Sequence, residues 1–383
     1  MAVSVLFHDI SDLCLGKPAI RSLPSSATVG DALSALKKTG EQYLSVWSCD
    51  HAKKTEGGSG DCRCVGKVCM VDVVVYLCRE ENLSDLAAAL QAPLSILLPE
   101  VPGLVRHVEP NCSLLEALDL ILDGAQNLVV PIQTRRKKPH KSHLSHANGR
   151  EFCWITQEDI VRFLLNGIGL FSPIPALSVD SLGIIRSDIL AVGYHDAAVS
   201  ALDSIALAHA EQTSVAVVAP DGALIGEISP ATVAACGEAV APAILALPAG
   251  DLMSYIDCGG PPTHLIRAVK AWLRDQNLDA MMELLGELSN CSSSSSDDDS
   301  PVPDGARSPT GPLRTSLSMR SRMVRRSEAI VCQKGSSLVA VMIQALAHRV
   351  NYMWVIDDDC SLAGIVTFSD VLRVFREHFQ AYE

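Results

Sequence analysis

The sequence is poor in aromatic residues and in net positive charge, and each shortage excludes a class of protein. Aromatic residues make up only 4% of the 383 residues, while Ala, Val, Leu and Ile dominate. Such a composition suits thin layers of helix on sheet better than one large aromatic core. The formal net charge of -13 argues against nucleic acid as the main partner, because affinity for phosphate backbones needs a broad basic surface. Any anion site must therefore be local.

Signals for membrane insertion and secretion are also missing. No run of about 18 apolar residues occurs, so no membrane span is predicted. Residues 1–9 lack the basic and apolar regions of a signal peptide and the Arg and Ser of a transit peptide. The 13 cysteines are odd in number and scattered, which does not suit a disulfide framework. We expect a soluble protein of a reducing compartment, the cytoplasm, with the nucleus as the alternative.

Motifs of catalysis are absent as well. The chain has no Gly-x-Ser-x-Gly, no Gly-Lys-Ser/Thr phosphate loop and no His-Glu-x-x-His. It also has no Gly-x-Gly-x-x-Gly after a predicted strand. The sequence therefore favours a protein that binds something over an enzyme.

What the sequence does contain is one unit repeated four times. The first half of each unit is an amphipathic helix followed by a short β-branched strand, as in the helix with Leu338, Val341, Met342 and Ala345 on one face. Equivalent helix positions lie 85, 84 and 140 residues apart: Ala32, Ala117, Ala201 and Val341. The last copy therefore carries about 56 extra residues.

The second half of each unit is a strand that runs directly into a second helix. In each of four segments an apolar strand ends at a polar residue, and an acidic or hydroxyl residue follows three positions later. The segments are 66–72, 153–159, 226–232 and 364–370. A turn such as Pro220-Asp221-Gly222 joins this strand to the preceding one and makes a hairpin. The prediction is an α/β (α+β) fold of four βαββα units.

The pattern Gly-φ-φ-Ser/Thr-x-x-Asp, with φ apolar, resembles the cystathionine β-synthase (CBS) domain, and four copies resemble two Bateman modules. The arrangement is similar to plant proteins with four CBS domains and, more distantly, to the γ subunits of AMP-activated and SNF1-related kinases. The expected boundaries and insertions are repeat 1 at 9–80 with a hairpin insertion at 49–64, repeat 2 at 90–170 with a basic hairpin insertion at 134–150, repeat 3 at 176–240, and repeat 4 at 249–383 interrupted by a helix at 264–288 and a disordered linker at 289–327.

The resemblance implies a non-catalytic regulator in which paired repeats bind an adenosine-containing ligand such as AMP, ADP or ATP. A carboxylate accepts the ribose hydroxyls, a Ser or Thr hydroxyl adds a hydrogen bond and cations neutralise the phosphates. Repeat 4 has the full set, with Thr367 and Asp370 for the ribose and His348 and Arg349 for the phosphates. A ligand-independent scaffold, for example in a kinase complex, is the alternative function, and a homodimer is an open option.

The other repeats keep less of this set. Repeat 2 has Thr156 and Asp159 but no cations before its second strand, and repeat 1 has Asp72 with Cys69 in place of the hydroxyl. Repeat 3 has Thr232 where the carboxylate would stand. A plainer explanation of these pairs also exists, because Thr-x-x-Asp is a good helix start. The Thr side chain caps the helix, and the helix dipole favours the negative charge of the Asp in the first turn.

Three further features have two interpretations each. Soft ligands in the first hairpin could bind a structural zinc or be unligated thiols: Cys49, His51, Cys62 and Cys64. The basic stretch from Arg135 to Arg150 is a solvated loop, or else an anion site or nuclear address. The segment from His264 to Leu288 packs its apolar face on its own module or on a partner.

Overall fold

The computed structural model describes residues 8–49, 62–99, 103–132, 151–257, 261–289 and 327–380. The expected basic insertion at 134–150 lies outside these residues. So do residues 50–61 of the hairpin insertion at 49–64 and residues 290–326 of the linker at 289–327.

Each repeat contains one three-stranded sheet. The first strand pairs in parallel with the second, and the second pairs antiparallel with the third. The twelve strands are β1 Ser22–Pro24, β2 Tyr43–Cys49, β3 Cys62–Cys69, β4 Val105–His107, β5 Asn127–Ile132, β6 Glu151–Ile155, β7 Ala191–Gly193, β8 Val215–Val218, β9 Leu224–Ile228, β10 Val331–Gln333, β11 Tyr352–Ile356 and β12 Leu362–Thr367. Repeats 1 to 4 take three strands each in this order, which gives the predicted βαββα unit.

One helix crosses over between the parallel strands of each repeat, and another follows the hairpin. The α-helices within the described residues are α1 Val29–Thr39, α2 Met70–Leu77, α3 Glu80–Leu83, α4 Leu86–Gln91, α5 Leu114–Leu122, α6 Gln157–Asn166, α7 Leu202–Glu211, α8 Pro230–Cys236, α9 Ala241–Ala246, α10 Ala249–Ile256, α11 Thr263–Asp275, α12 Asp279–Ser289, α13 Leu338–His348 and α14 Phe368–Gln380. Their starts follow the sequence: Thr28 and Asp31 form a capping box at α1, and Ser113 and Glu116 form one at α5.

The central strands are buried on both faces, which explains their continuous apolar sequence. In β8, Val215 and Val217 belong to one hydrophobic core, while Ala216 between them belongs to another. In β5, Leu128 likewise faces one core and Val129 faces a different cluster. Helices therefore cover one face of each sheet, and a neighbouring repeat covers the other.

Sheet faces join repeat 1 to repeat 2 and repeat 3 to repeat 4. Trp47 of β2 packs on Phe152 of β6 with ring centroids 4.9 Å apart. Between repeats 3 and 4, the buried carboxylate of Glu227 accepts hydrogen bonds from the Tyr352 hydroxyl at 2.8 Å and from Trp354 Nε1 at 2.7 Å. Each pair is called a module below.

Helices join the two modules to each other. One hydrophobic core combines residues of repeats 1 and 3, such as Val73 of α2 and Val233 of α8. The other core combines repeats 2 and 4, and there Phe171 packs on Phe375 of α14 with ring centroids 5.2 Å apart. Every repeat therefore contacts one neighbour through its sheet and another through its helices.

The segments before the repeats pack across this arrangement. The 3-10 helix Ile10–Cys14 lies on repeat 2, where the Ile10 amide donates to the Cys112 carbonyl at 2.8 Å. In the same way, the Val179 amide donates to the Ser336 carbonyl of repeat 4 at 3.0 Å. In both modules, the segment that precedes the first repeat therefore packs on the second repeat.

The expected single helix at 264–288 is wrong, because the structure has two helices there, α11 and α12. Asn277 between them adopts a left-handed backbone with a φ of 56°, a conformation that ends a helix. The Leu278 amide then donates to the Leu273 carbonyl at 2.9 Å. Leu265, Val269 and Leu273 are buried in the core of repeats 1 and 3, so the apolar face packs on its own chain.

No helix among the described residues is long and apolar enough to cross a membrane.

Removing the Glu227 carboxylate tests the junction of repeats 3 and 4. We expect Glu227→Ala to lower the free energy of unfolding by about 3 kcal/mol, because two buried donors lose a charged acceptor. Urea denaturation measures the change. Asp203→Ala, which removes an exposed carboxylate from the first turn of α7, is the control and should shift the midpoint far less, because a surface charge near a helix start contributes under about 1 kcal/mol. Equal midpoints for Glu227→Ala and wild type would contradict this interpretation.

Candidate functional site

The junction of β12 and α14 buries the strongest candidate carboxylate. Thr367 and Asp370 are only 4% and 3% exposed. Asp370 Oδ2 accepts from the Thr367 amide at 3.0 Å and from Thr367 Oγ1 at 2.6 Å, and the Asp370 amide donates to Thr367 Oγ1 at 3.3 Å. Two sequence-predicted residues therefore meet, and they form the helix cap that was the plainer interpretation.

The Asp370 carboxylate keeps one hydrogen-bonding position that no described residue uses. Its other oxygen, Oδ1, accepts from Arg373 at 3.2 Å. A carboxylate offers about four lone-pair sites, and these three contacts leave one unused. A ribose with two hydroxyls would need a second site, which Thr367 Oγ1 or the half-exposed Arg373 side chain can release by rotating away.

A second arginine, which sequence reasoning missed, approaches the same carboxylate. Arg186 pairs with β12 through two backbone hydrogen bonds to Ile365, each of 2.9 Å. Its guanidinium donates from Nε to Asp188 Oδ1 at 3.0 Å. This hydrogen bond raises the pKa of Arg186, and the nearby charges of Asp370 and Glu211 add to the effect. The buried Asp370 carboxylate thus contacts one arginine of its own repeat, Arg373, and interacts electrostatically with a second, Arg186, that precedes β7.

The predicted phosphate pair lies on the chain next to this junction. Tyr352 is the register partner of Thr367, and the Phe368 amide donates to the Asn351 carbonyl at 2.7 Å. These contacts bring the end of α13, where His348 and Arg349 stand, alongside the start of α14. Both side chains are exposed, which leaves them accessible to a ligand in solution.

In repeat 2 a lysine occupies the equivalent carboxylate. Asp159 Oδ2 accepts from the Thr156 amide at 2.8 Å, from Thr156 Oγ1 at 2.9 Å and from Lys17 Nζ at 2.7 Å. Lys17 is 142 residues away along the chain, so sequence reasoning gave no sign of it. Beside this junction, Asn127 Oδ1 is buried and has no hydrogen-bond partner in the described part of the chain.

In repeat 1, Asp72 meets a histidine from repeat 3. The Cys69 amide donates to Asp72 Oδ2 at 2.7 Å, while His209 Nε2 lies 3.3 Å from Cys69 Sγ and 3.6 Å from Asp72 Oδ1. Burial raises the pKa of the Cys69 thiol and lowers the pKa of His209. His209 was not predicted, because only the packing of α7 on α2 brings it here.

Repeat 3 has no charge at this position. Ser229 Oγ and Thr232 Oγ1 lie 2.7 Å apart and are buried, and Ser229 caps α8. This junction has a helix cap and no carboxylate for a ribose.

The zinc set proposed for the first hairpin lies largely outside the described residues. His51 and the side chain of Cys49 are not described. Cys49 and Cys62 are register partners, while the buried Cys64 thiol donates to the Gly66 carbonyl at 3.3 Å, and burial raises its pKa to about 12. A zinc bound by this set stays a prediction.

An open groove of about 430 Å³ lies on repeat 1, away from all of these carboxylates. Leu23 and Pro24 of β1 and Asp31 and Lys38 of α1 contribute to its lining. None of the residues predicted to bind a ligand is part of it.

Comparison with known proteins agrees with this architecture. A family model for the CBS domain matches residues 322–377, which include the repeat 4 junction. The chain is 47% identical to CBS domain-containing protein CBSX5 of Arabidopsis thaliana over 99% of both chains. The chain belongs to the CBS domain-containing proteins. Its four sheets are CBS repeats paired as two Bateman modules.

Two more distant CBS relatives extend the comparison. The chain is 22% identical to a SNF1-related protein kinase regulatory subunit gamma-like protein, PV42b of Arabidopsis thaliana, over 96% of this chain and 94% of the relative. The crystal structure of protein MJ1225 from Methanocaldococcus jannaschii, a candidate archaeal homolog of g-AMPK, superposes with a TM-score of 0.55 at 15% identity. It covers 96% of this chain and 100% of that one. This last likeness shows the shared CBS fold alone.

Loss of the Thr367 hydroxyl tests the cap without any ligand. We expect Thr367→Val to lower the free energy of unfolding by about 1 kcal/mol, the usual value of an N-cap side chain. Thr367→Ser keeps the oxygen and should behave like wild type in thermal denaturation. If Thr367→Val were as stable as Thr367→Ser, the hydroxyl would not cap α14.

Proposed function

We propose that this CBS protein is a non-catalytic regulator that binds an adenosine nucleotide at repeat 4 and thereby modulates a partner protein. The observation that carries the proposal is the buried Asp370 carboxylate, which has a hydroxyl beside it, arginines around it and two exposed cationic candidates at its edge. Asp370 and Thr367 would hold the ribose, and His348 and Arg349 would contact phosphates.

The chemistry of this set matches a nucleoside phosphate. An ionised carboxylate only accepts hydrogen bonds, so it selects a ligand with hydroxyl donors, and a ribose offers two side by side. Guanidinium groups pair well with phosphate oxygens. Both kinds of group are present in repeat 4, whereas repeat 3 lacks the carboxylate at its junction.

The position of Arg186 suggests how occupancy reaches the rest of the chain. Arg186 lies on the connection between the two Bateman modules and is paired there with Asp188. A nucleotide bound at Asp370 alters the electrostatic interaction between Asp370 and Arg186. This alteration would shift the position of the segment around Arg186, which joins the two modules. A relative named as a kinase regulatory subunit supports a kinase as the class of partner.

Thr156 and Asp159 of repeat 2 form a secondary candidate. Within the part of the chain that the structure describes, Asp159 Oδ1 accepts no hydrogen bond, and the nearby Asn127 Oδ1 is buried without a partner. Lys17 could turn from Asp159 to a phosphate. Asp72 of repeat 1 stays a predicted ribose ligand, and the Cys69 amide and His209 already contact its carboxylate.

A ligand-independent scaffold is the second candidate function. The observation that favours it is the use of each junction carboxylate by the protein itself, through Lys17 at Asp159 and Arg373 at Asp370. In this alternative the same junctions serve only stability, and partner proteins bind whether or not nucleotide is present.

Calorimetric titration of AMP, ADP and ATP into the full chain separates the two functions. We expect saturable binding that Asp370→Asn weakens at least tenfold, because hydrogen bonds to a charged acceptor contribute about 1.5–3 kcal/mol. Arg349→Ala should weaken the binding of ATP more than the binding of adenosine, which is titrated as a phosphate-free reference, since the substitution removes a phosphate contact only.

Arg267→Ala is the matched control, because this exposed arginine lies on α11, which packs on the core of repeats 1 and 3 and not on the junction of β12 and α14. It should bind like wild type. No saturable binding of any of the three nucleotides at millimolar concentration, or equal binding by Asp370→Asn and wild type, would overturn the proposal in favour of the scaffold.

A further inference from the structure

Three metal-ligating side chains meet where repeat 1 packs on repeat 3. Cys69 stands at the start of α2, Asp72 in its first turn, and His209 near the end of α7. Their ligand atoms all lie within 4.8 Å of one another, Cys69 is buried and the other two are partly buried. Cys69 and His209 are 140 residues apart in sequence, so only the assembly of the two modules creates this group.

Two of the three spacings suit a tetrahedral ion, and the third, between Cys69 Sγ and a carboxylate oxygen of Asp72, is within 4.8 Å. Zinc binds sulfur at about 2.3 Å and nitrogen or oxygen at about 2.0–2.2 Å, which places neighbouring tetrahedral ligands roughly 3.3–3.6 Å apart. Here Cys69 Sγ and His209 Nε2 are 3.3 Å apart, and His209 Nε2 and Asp72 Oδ1 are 3.6 Å apart. Thiolate, imidazole and carboxylate are also the three ligand types that zinc prefers.

Backbone groups already orient two of the ligands. The Cys69 amide donates to Asp72 Oδ2 at 2.7 Å, which fixes the carboxylate and leaves Oδ1 toward His209. The Val71 amide donates to Cys69 Sγ at 3.3 Å. An amide donor at a helix N-terminus stabilises a thiolate, and hydrogen bonds of this kind hold metal ligands in position.

Other groups near the cluster limit what it can bind. Tyr43 stacks on His209 with ring centroids 6.3 Å apart, and Lys67 Nζ lies 4.8 Å from the centre of the Tyr43 ring. The lysine repels a cation, whereas the Asp72 carboxylate and the thiolate that Cys69 becomes when the metal displaces its proton offset that repulsion. Two anionic ligands against one lysine favour a divalent ion over a monovalent one.

We propose that Cys69, Asp72 and His209 form a Zn²⁺ site that links the two Bateman modules. On binding, the Cys69 S–H bond breaks, a Zn–S bond forms and the proton passes to solvent. The three protein ligands leave a fourth position for water or an outside ligand. The site lies where repeats 1 and 3 pack together, whereas Asp370 is in repeat 4, which packs on repeat 2. The zinc proposal is therefore independent of nucleotide binding.

Titration of Zn²⁺ into the chelator-treated full chain tests the site. We expect one saturable event whose affinity falls at least tenfold in Cys69→Ser and in His209→Gln. Co²⁺ as a spectroscopic probe should give a sulfur-to-metal charge-transfer band in wild type that Cys69→Ser removes, while His209→Gln shifts its visible bands. Circular dichroism without metal checks that each variant folds. If Cys69→Ser does not fold, His209→Gln alone tests the site.

Cys78→Ser is the matched control, because this thiol is buried in the same repeat, belongs to neither predicted zinc set and donates to the Ala241 carbonyl. It should bind Zn²⁺ like wild type. The proposal is overturned if wild type binds no Zn²⁺, if His209→Gln binds as tightly as wild type, or if Cys78→Ser abolishes an event that Cys69→Ser leaves intact.

Discussion

The structure depends on one constraint: a CBS repeat is too small to bury its own apolar surface. Each sheet has three strands, and its first strand is only three residues long. The central strands are apolar on both faces, so each sheet needs helices on one side and another sheet on the other. The repeats satisfy this need twice, through sheets within a Bateman module and through helices between modules. All the candidate sites lie where these contacts converge.

The shared scaffold allows four equivalent junctions to differ in chemistry. The third strand of each sheet ends at, or just before, a residue whose side chain caps the next helix, and the residue three positions later completes the junction. The partners of these junctions differ: His209 for Cys69 and Asp72, Lys17 for Asp159, the hydroxyl of Thr232 for Ser229, and the arginines Arg186 and Arg373 around Asp370. A common cap preserves folding, while the partner decides whether a junction suits a nucleotide, a metal or neither.

Sequence patterns predicted what local physics determines. Helix periodicity and capping residues gave the βαββα unit and the junctions of Thr156 with Asp159 and of Thr367 with Asp370. They could not give Lys17, Arg186 or His209, because these side chains arrive by packing between distant segments, and a repeat pattern does not state which repeats pack together. The break at Asn277 was missed because the apolar positions on either side of it continue a helical pattern.

A crystal structure of the chain grown with AMP would test the central claim most directly. The account predicts a ribose bound by both oxygens of Asp370, with Thr367 Oγ1 or Arg373 turned away from the carboxylate and the phosphate directed toward Arg349. Density for AMP elsewhere, such as in the groove on repeat 1, would contradict it. So would an unchanged junction in which Thr367 and Arg373 keep all their contacts to Asp370.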